Sequence, residues 1–150
     1  MAGQRGFEDL ECYQLALQVA ESVYSLTKHL PADEKYNLVS QMRRAATSVT
    51  LNIAEGYGRY HYLDSLRFFY IARGSLNEVL SGFVLCERLQ YVTAEELSQQ
   101  RVQCHSALRS LNGYIRYLRK QQQGRAEYGN RAVHEELADY HIPLAPPSDE

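Results

Sequence analysis

A chain of 150 residues is the size of one domain with a hydrophobic core of its own. Its 45% apolar and 23% charged residues are the balance of an ordinary globular protein. No apolar run approaches the ~20 residues that cross a membrane, and the opening MAGQRGFEDLE has no signal-peptide stretch. Cys12, Cys86 and Cys104 are odd in number and lack metal-ligand spacing, so reduced thiols in a cytoplasmic protein are expected. The net charge of −2 is uneven: residues 1–120 carry 14 Lys and Arg against 12 Asp and Glu, and residues 121–150 carry two Arg against six acids. That balance is too weak alone to argue for a nucleic-acid partner.

The first helix is predicted from about Leu10 to Leu30, with Tyr13, Ala16, Ala20, Val23 and Leu30 apolar and Pro31 ending it. The second begins near Asp33. It carries Leu38, Met42, Ala45, Val49, Ile53 and Gly56 at steps of four and three, with Gly58 placed to stop it. The third is predicted from about Asp64 to Tyr91, with Leu66, Phe69, Ala72, Leu76, Val79, Phe83 and Cys86 on its apolar seam. Thr93 and Glu96 form a T-x-x-E capping box that opens the fourth. There Leu97, Arg101, Cys104, Leu108, Leu111, Ile115 and Leu118 keep the period, apolar at all but one position.

Four segments of similar length joined by short loops predict an all-α, antiparallel up-down-up-down four-helix bundle over residues 1–120. Residues 121–150 read as a polar, acidic extension, partly disordered or docked on a neighbouring surface through Leu137, Tyr140, Ile142 and Leu144.

Catalytic and metal patterns are missing. No Asp or Glu has a His three residues later, the spacing that di-iron bundles use. H-E-x-x-H, C-x-x-C, Walker, G-x-S-x-G and G-x-G-x-x-G motifs are absent. Cys104 falls on the core seam and His105 points away from it, a structural thiol beside a surface imidazole. The expectation is no cofactor, no metal, no catalytic residue and no enzymatic activity, with an enzyme whose site lies between subunits as the remote alternative.

Three stripes carry more information. On the fourth helix Arg101, His105, Arg109, Arg116 and Arg119 fall within about 80° of one another at 100° per residue. Lys120 extends the group, and no acid occurs between Leu97 and Lys120. Such a face suits phosphates or an acidic partner; the plainer use is a solvated face whose cations the helix dipole favours near its C-terminus. A second basic region, Arg43 to Arg73, interleaves five Arg with Tyr57, Tyr60, Tyr62, Phe68, Phe69 and Tyr70. Those rings suit either stacking on unpaired bases or packing, with packing favoured. On the second helix Gln41, Arg44, Ser48, Asn52, Glu55 and Arg59 form a polar ridge beside the apolar seam. An interhelical or intersubunit interface is expected there over a lone surface ridge.

The run Gln41-Met42-Arg43-Arg44-Ala45-Ala46, Ser48-Val49 and Asn52-Ile53-Ala54-Glu55-Gly56-Tyr57-Gly58-Arg59 resembles the signature of the 23S rRNA intervening-sequence proteins. Phe7-Glu8-Asp9-Leu10, Arg67-Phe68 and Ile71-Ala72-Arg73-Gly74-Ser75-Leu76 are similar to further family blocks, so the likeness covers residues 7 to about 120. The chain departs from the pattern at Thr50-Leu51, where a Pro often follows the Ser-Val pair, and at Arg73, where an apolar residue is usual. The resemblance implies an antiparallel four-helix bundle assembled as a ring-shaped homopentamer, without catalytic activity. It also implies kinship with the accessory variability proteins of diversity-generating retroelements, which bind a reverse transcriptase and nucleic acid through a basic surface. The expected partners are therefore a second copy of the chain, RNA, and a protein such as a reverse transcriptase. Arg44, Ser48, Asn52, Glu55, Gly56, Gly58 and Arg59 are expected to serve assembly or as the structural signature. The candidates for RNA contact, read from the spacing on the fourth helix and not from the resemblance, are Arg101, His105, Arg109, Arg116, Arg119 and Lys120.

Overall fold

A computed structural model describes residues 6–130. A 3-10 turn at Gly6–Asp9 leads into α1 (Glu11–Thr27), followed by α2 (Leu38–Tyr57), α3 (Tyr62–Arg88), α4 (Ser98–Gln121) and the single turn α5 (Arg125–Tyr128). The described residues contain no strand. Each long helix packs on its neighbours in the chain and α1 closes the circuit with α4, forming a four-helix bundle. No described helix is long and apolar enough to cross a membrane.

The apolar seams predicted for α2 and α3 are buried at every position, from Leu38 to Gly56 and from Leu66 to Cys86. On α1 the buried stripe is Cys12, Ala16, Val19 and Val23, with Tyr13 and Ala20 only half-buried at its edge. Ala16 and Val23 are thus on the expected seam, while Cys12 and Val19 take the buried places expected of Tyr13 and Ala20. Arg101, the exception on the α4 seam, leaves the core to pair with Glu87 at 2.6 Å.

α2 and α3 approach unusually closely at two glycines. A Cβ on Gly56 would lie 2.7 Å from the Phe69 ring, and one on Gly82 would lie 2.7 Å from Met42 Cγ. Between them Ser48 and Ser75 share a 2.8 Å hydrogen bond, and the Ser65 hydroxyl donates to the Gly56 carbonyl at 2.7 Å. Small residues let the two backbones come together, and their hydroxyls satisfy polar groups that this closeness buries.

Helix starts depart from expectation. Asp33 lies in a 3-10 turn, Ala32–Glu34, and α2 begins only at Leu38. There the Glu34 carboxylate accepts from the Leu38 N–H at 3.2 Å and from the Tyr91 hydroxyl at 3.0 Å, so one side chain joins two loops. α3 starts at Tyr62, two residues before Asp64, because His61 Nδ1 accepts the Leu63 N–H at 3.2 Å and acts as the N-cap. The capping box forms as predicted: Thr93 N–H donates to Glu96 at 2.8 Å and Glu96 N–H to Thr93 at 3.2 Å. It closes a turn ahead of Ser98, where regular α4 begins. Gly58 caps α2 with φ −75°, donating to the Ala54 and Glu55 carbonyls, so the stop needs no left-handed residue.

Past α4, Gln122 (φ 51°) and Gly124 (φ 84°) turn the chain back over the α2–α3 loop. Gln123 accepts from the Tyr62 N–H at 3.0 Å, and Tyr60 donates to Glu127 at 2.8 Å. His61 Nε2 lies 3.1 Å from the Gly129 carbonyl; with Nδ1 accepting, Nε2 carries the proton. This closure buries His61. The docking residues Leu137, Tyr140, Ile142 and Leu144 lie outside the described residues.

Candidate nucleic-acid interface

α4 presents its basic residues on the surface because they flank its apolar stripe, Cys104, Ala107, Leu111, Ile115 and Leu118, and do not lie on it, Arg101 excepted. Its cations do not act as one face. Arg101 is held by Glu87, and Arg119 lines an α3–α4 cleft of about 470 Å³ with Arg67 and Tyr70. Arg109 and Arg116 stand instead on the α1 side. Arg109 lines a cleft of about 690 Å³ between α1 and α4, and the Arg116 guanidinium folds over Gly113 in the wall of that cleft. Among the described residues, no carboxylate lies within ion-pair distance of His105, Arg109, Arg116, Arg119 or Lys120. Glu11 is the acid in the α1 wall.

The arginines and rings of the 43–73 region largely serve each other. Arg43 covers Tyr24 at 4.7 Å and donates to Thr27 at 2.9 Å. Arg59 and Arg67 both lie over the Phe68 ring, at 4.9 and 5.0 Å, and Arg73 covers Tyr70 at 4.9 Å. Arg73 also donates to Asn112 at 3.2 Å, so the residue that departs from the family pattern ties α3 to α4.

The α2 ridge divides into an inner and an outer half. Asn52 donates to the Ser48 carbonyl and hydroxyl at 2.8 and 3.0 Å, and Ser48 reaches Ser75, so these two act within the chain. Gly56 is a packing residue against Phe69. Arg44, Glu55 and Gly58 face outward beside Leu51, which is 63% exposed, and Arg59 pairs with Glu55 at 2.6 Å.

Sequence reasoning missed Tyr114 and Tyr117. They form a ladder from the core outward, with Phe69 and Tyr114 centroids 4.8 Å apart and Tyr114 and Tyr117 5.5 Å apart. Burial, together with the phenols of Tyr117 and Tyr57, pushes the Tyr114 hydroxyl up to about 12. A signal existed in the i, i+3 tyrosine pair beside Arg116. Burial likewise pushes the Cys12 and Cys104 thiols up to about 11, the reverse of what a nucleophile requires. No group of three or more His, Cys, Asp or Glu converges to hold a metal among the described residues.

The 23S rRNA-intervening sequence protein family matches residues 8–113. The chain belongs to that family. A crystal structure of a protein of unknown function from the S23 ribosomal protein family of Bacteroides thetaiotaomicron is similar in fold, with a TM-score of 0.64 at 24% identity. The match covers 69% of this chain and 97% of that one. No curated protein matches the chain.

Proposed function

We propose that this intervening-sequence protein is a non-enzymatic, cytoplasmic homo-oligomeric scaffold, a ring-shaped pentamer of antiparallel bundles that binds RNA through α4. The carrying observation is the acid-free length of α4, from Ser98 to Gln121, with four exposed Arg and Lys side chains and His105 unneutralised by any described carboxylate. A one-signed field at a surface attracts phosphates at long range and releases counterions on contact.

Contacts between helices support the antiparallel arrangement. Met42 meets Gly82, Ser48 meets Ser75 and Gly56 meets Phe69, so position rises on α2 as it falls on α3. Ser22 bonds Gln103, whereas Leu10 to Leu15 share a cleft with Ser106 to Tyr117, giving the same sense for α1 and α4. Assembly is supported by the outer half of the α2 ridge. Leu51, Arg44, Glu55 and Gly58 combine apolar area with opposite charges that a second copy can match.

A protein-adaptor reading, with a reverse transcriptase as one partner type, rests on exposed Ile71 and Leu85 on α3 and Leu89 just past its end. Phosphates have no use for that stripe. Light scattering tests assembly: the mass expected is that of five 17.2-kDa chains, and a stable monomer at micromolar concentration overturns the interface role of α2. Arg109→Glu with Arg116→Glu is expected to abolish binding of RNA at low salt. Equal binding by the double variant, or none by the wild type, removes the RNA role. Recovery of one defined protein after nuclease treatment would then favour the adaptor.

A further inference from the structure

The α1–α4 cleft has a neighbour. A second cleft, of about 670 Å³, lies at the α2–α3 loop end of the bundle, and both are walled by Tyr114 and Tyr117. Sharing those two tyrosines, they lie next to each other along α4, from Arg109 to Gln121, as two halves of one candidate trough. That length is roughly 18 Å at 1.5 Å per residue, the span of about five stacked nucleotides at ~3.4 Å each. Tyr57 lines the far end with Arg59 and Gln123. Tyr57 and Tyr117 are 37% and 53% exposed, so each offers ring surface to a ligand.

The geometry points to this trough as a binding site for an unpaired stretch of RNA, its bases stacking on Tyr117 and Tyr57 and its phosphates on Arg109 and Arg116. This deepens the RNA reading above and rests on it. Tyr117 is a preorganised platform, because its inner edge packs on Tyr114 and Tyr114 packs on fully buried Phe69. Gly113 keeps the α4 wall low between the cations, since no side chain fills the space under the Arg116 guanidinium. Gln121 and Gln123 supply amide donors and acceptors at the far end, where base edges of an unpaired strand are accessible. Glu11 is the acid among the residues lining the two clefts, against Arg109 and an Arg59 already paired with Glu55. A duplex keeps its base faces covered and cannot use the tyrosines, so the site selects single strands.

The test is fluorescence anisotropy of the full chain with a labelled 12-nucleotide oligo(U) and, separately, a 12-base-pair RNA duplex at low salt. The single strand is expected to bind more tightly. Tyr117→Ala and Tyr57→Ala should each weaken it roughly 5- to 150-fold, the loss of one base stack. Tyr117→Phe, which keeps the ring, and Tyr36→Ala, at an 87% exposed position away from the trough, should bind like wild type. Melting curves of the alanine variants establish that the fold survives. If oligo(U) binds but the duplex binds as well, or the alanine variants match wild type, the trough is overturned and the RNA reading stands. If the wild type binds neither, both fall together.

Discussion

At the scale of single residues, glycines and buried thiols say most about how this bundle is held. Gly56 has no room for a methyl group, because Phe69 is fully buried and Phe68 Cβ stands 3.1 Å away on the other side. Gly56→Ala is expected to lower stability by about 1–3 kcal/mol in urea denaturation, through overpacking that outweighs the better helix propensity of alanine. Gly74, also in a helix, has nothing within 4 Å of its Cβ position, so Gly74→Ala should raise stability by about 0.5–1 kcal/mol. If both substitutions move stability the same way, the close α2–α3 approach is wrong. The thiols of Cys12 and Cys104 keep their protons in the folded state up to about pH 11, while the unfolded chain releases them near 9. The folded state therefore holds more protons between these values, and stability falls as pH rises through that window. Urea midpoints are expected to be flat below pH 9 and to drop by pH 10.5, with a smaller drop in Cys104→Ala.

At the scale of elements, the interiors of the helices, the start of α1 and the capping box ahead of α4 were legible, and the starts of α2 and α3 were not. Steps of three and four placed Val49, Ile53, Phe69, Phe83 and Leu111 correctly, because burial of one stripe dominates helix energetics. The starts of α2 and α3 escaped because the capping groups are Glu34, four residues before Leu38, and His61, neither in the preferred Ser/Thr/Asp/Asn set. His61→Ala should cost about 1 kcal/mol and speed hydrogen exchange at the Leu63 amide. His61→Asn should keep that amide protected while losing the contact to Gly129. Equal exchange in all three proteins would contradict the cap. Arg101 shows a second limit of periodicity: its position is that of a core residue, and only the carboxylate of Glu87 on the adjoining helix explains why an arginine sits there.

At the scale of the whole molecule, the candidate site was half legible. The acid-free run of α4 is visible in one line of sequence. What the line hides is its division, with Arg101 spent on α3, Arg119 on one side, and Arg109 and Arg116 beside a cleft walled by tyrosines from the other flank of the helix. Angular separation on a helical wheel cannot reveal which neighbouring helix each flank meets. In the 43–73 region the packing favoured from sequence is what Arg43, Arg59, Arg67 and Arg73 show, each lying over a ring of the same chain. Function in this account comes from placing an unneutralised helix on the outside of a bundle whose polar and small residues lock α2 to α3. The most direct measurement is the salt dependence of single-stranded RNA affinity between 50 and 200 mM. The expected slope of log K against log salt is about −2 to −3, from ~0.7 per phosphate met by three or four cations of α4. Arg109→Glu with Arg116→Glu should abolish the binding, so that no slope is left to read. An affinity that ignores salt, or a double variant with the wild-type slope, would contradict the assignment of α4 as the RNA-binding face.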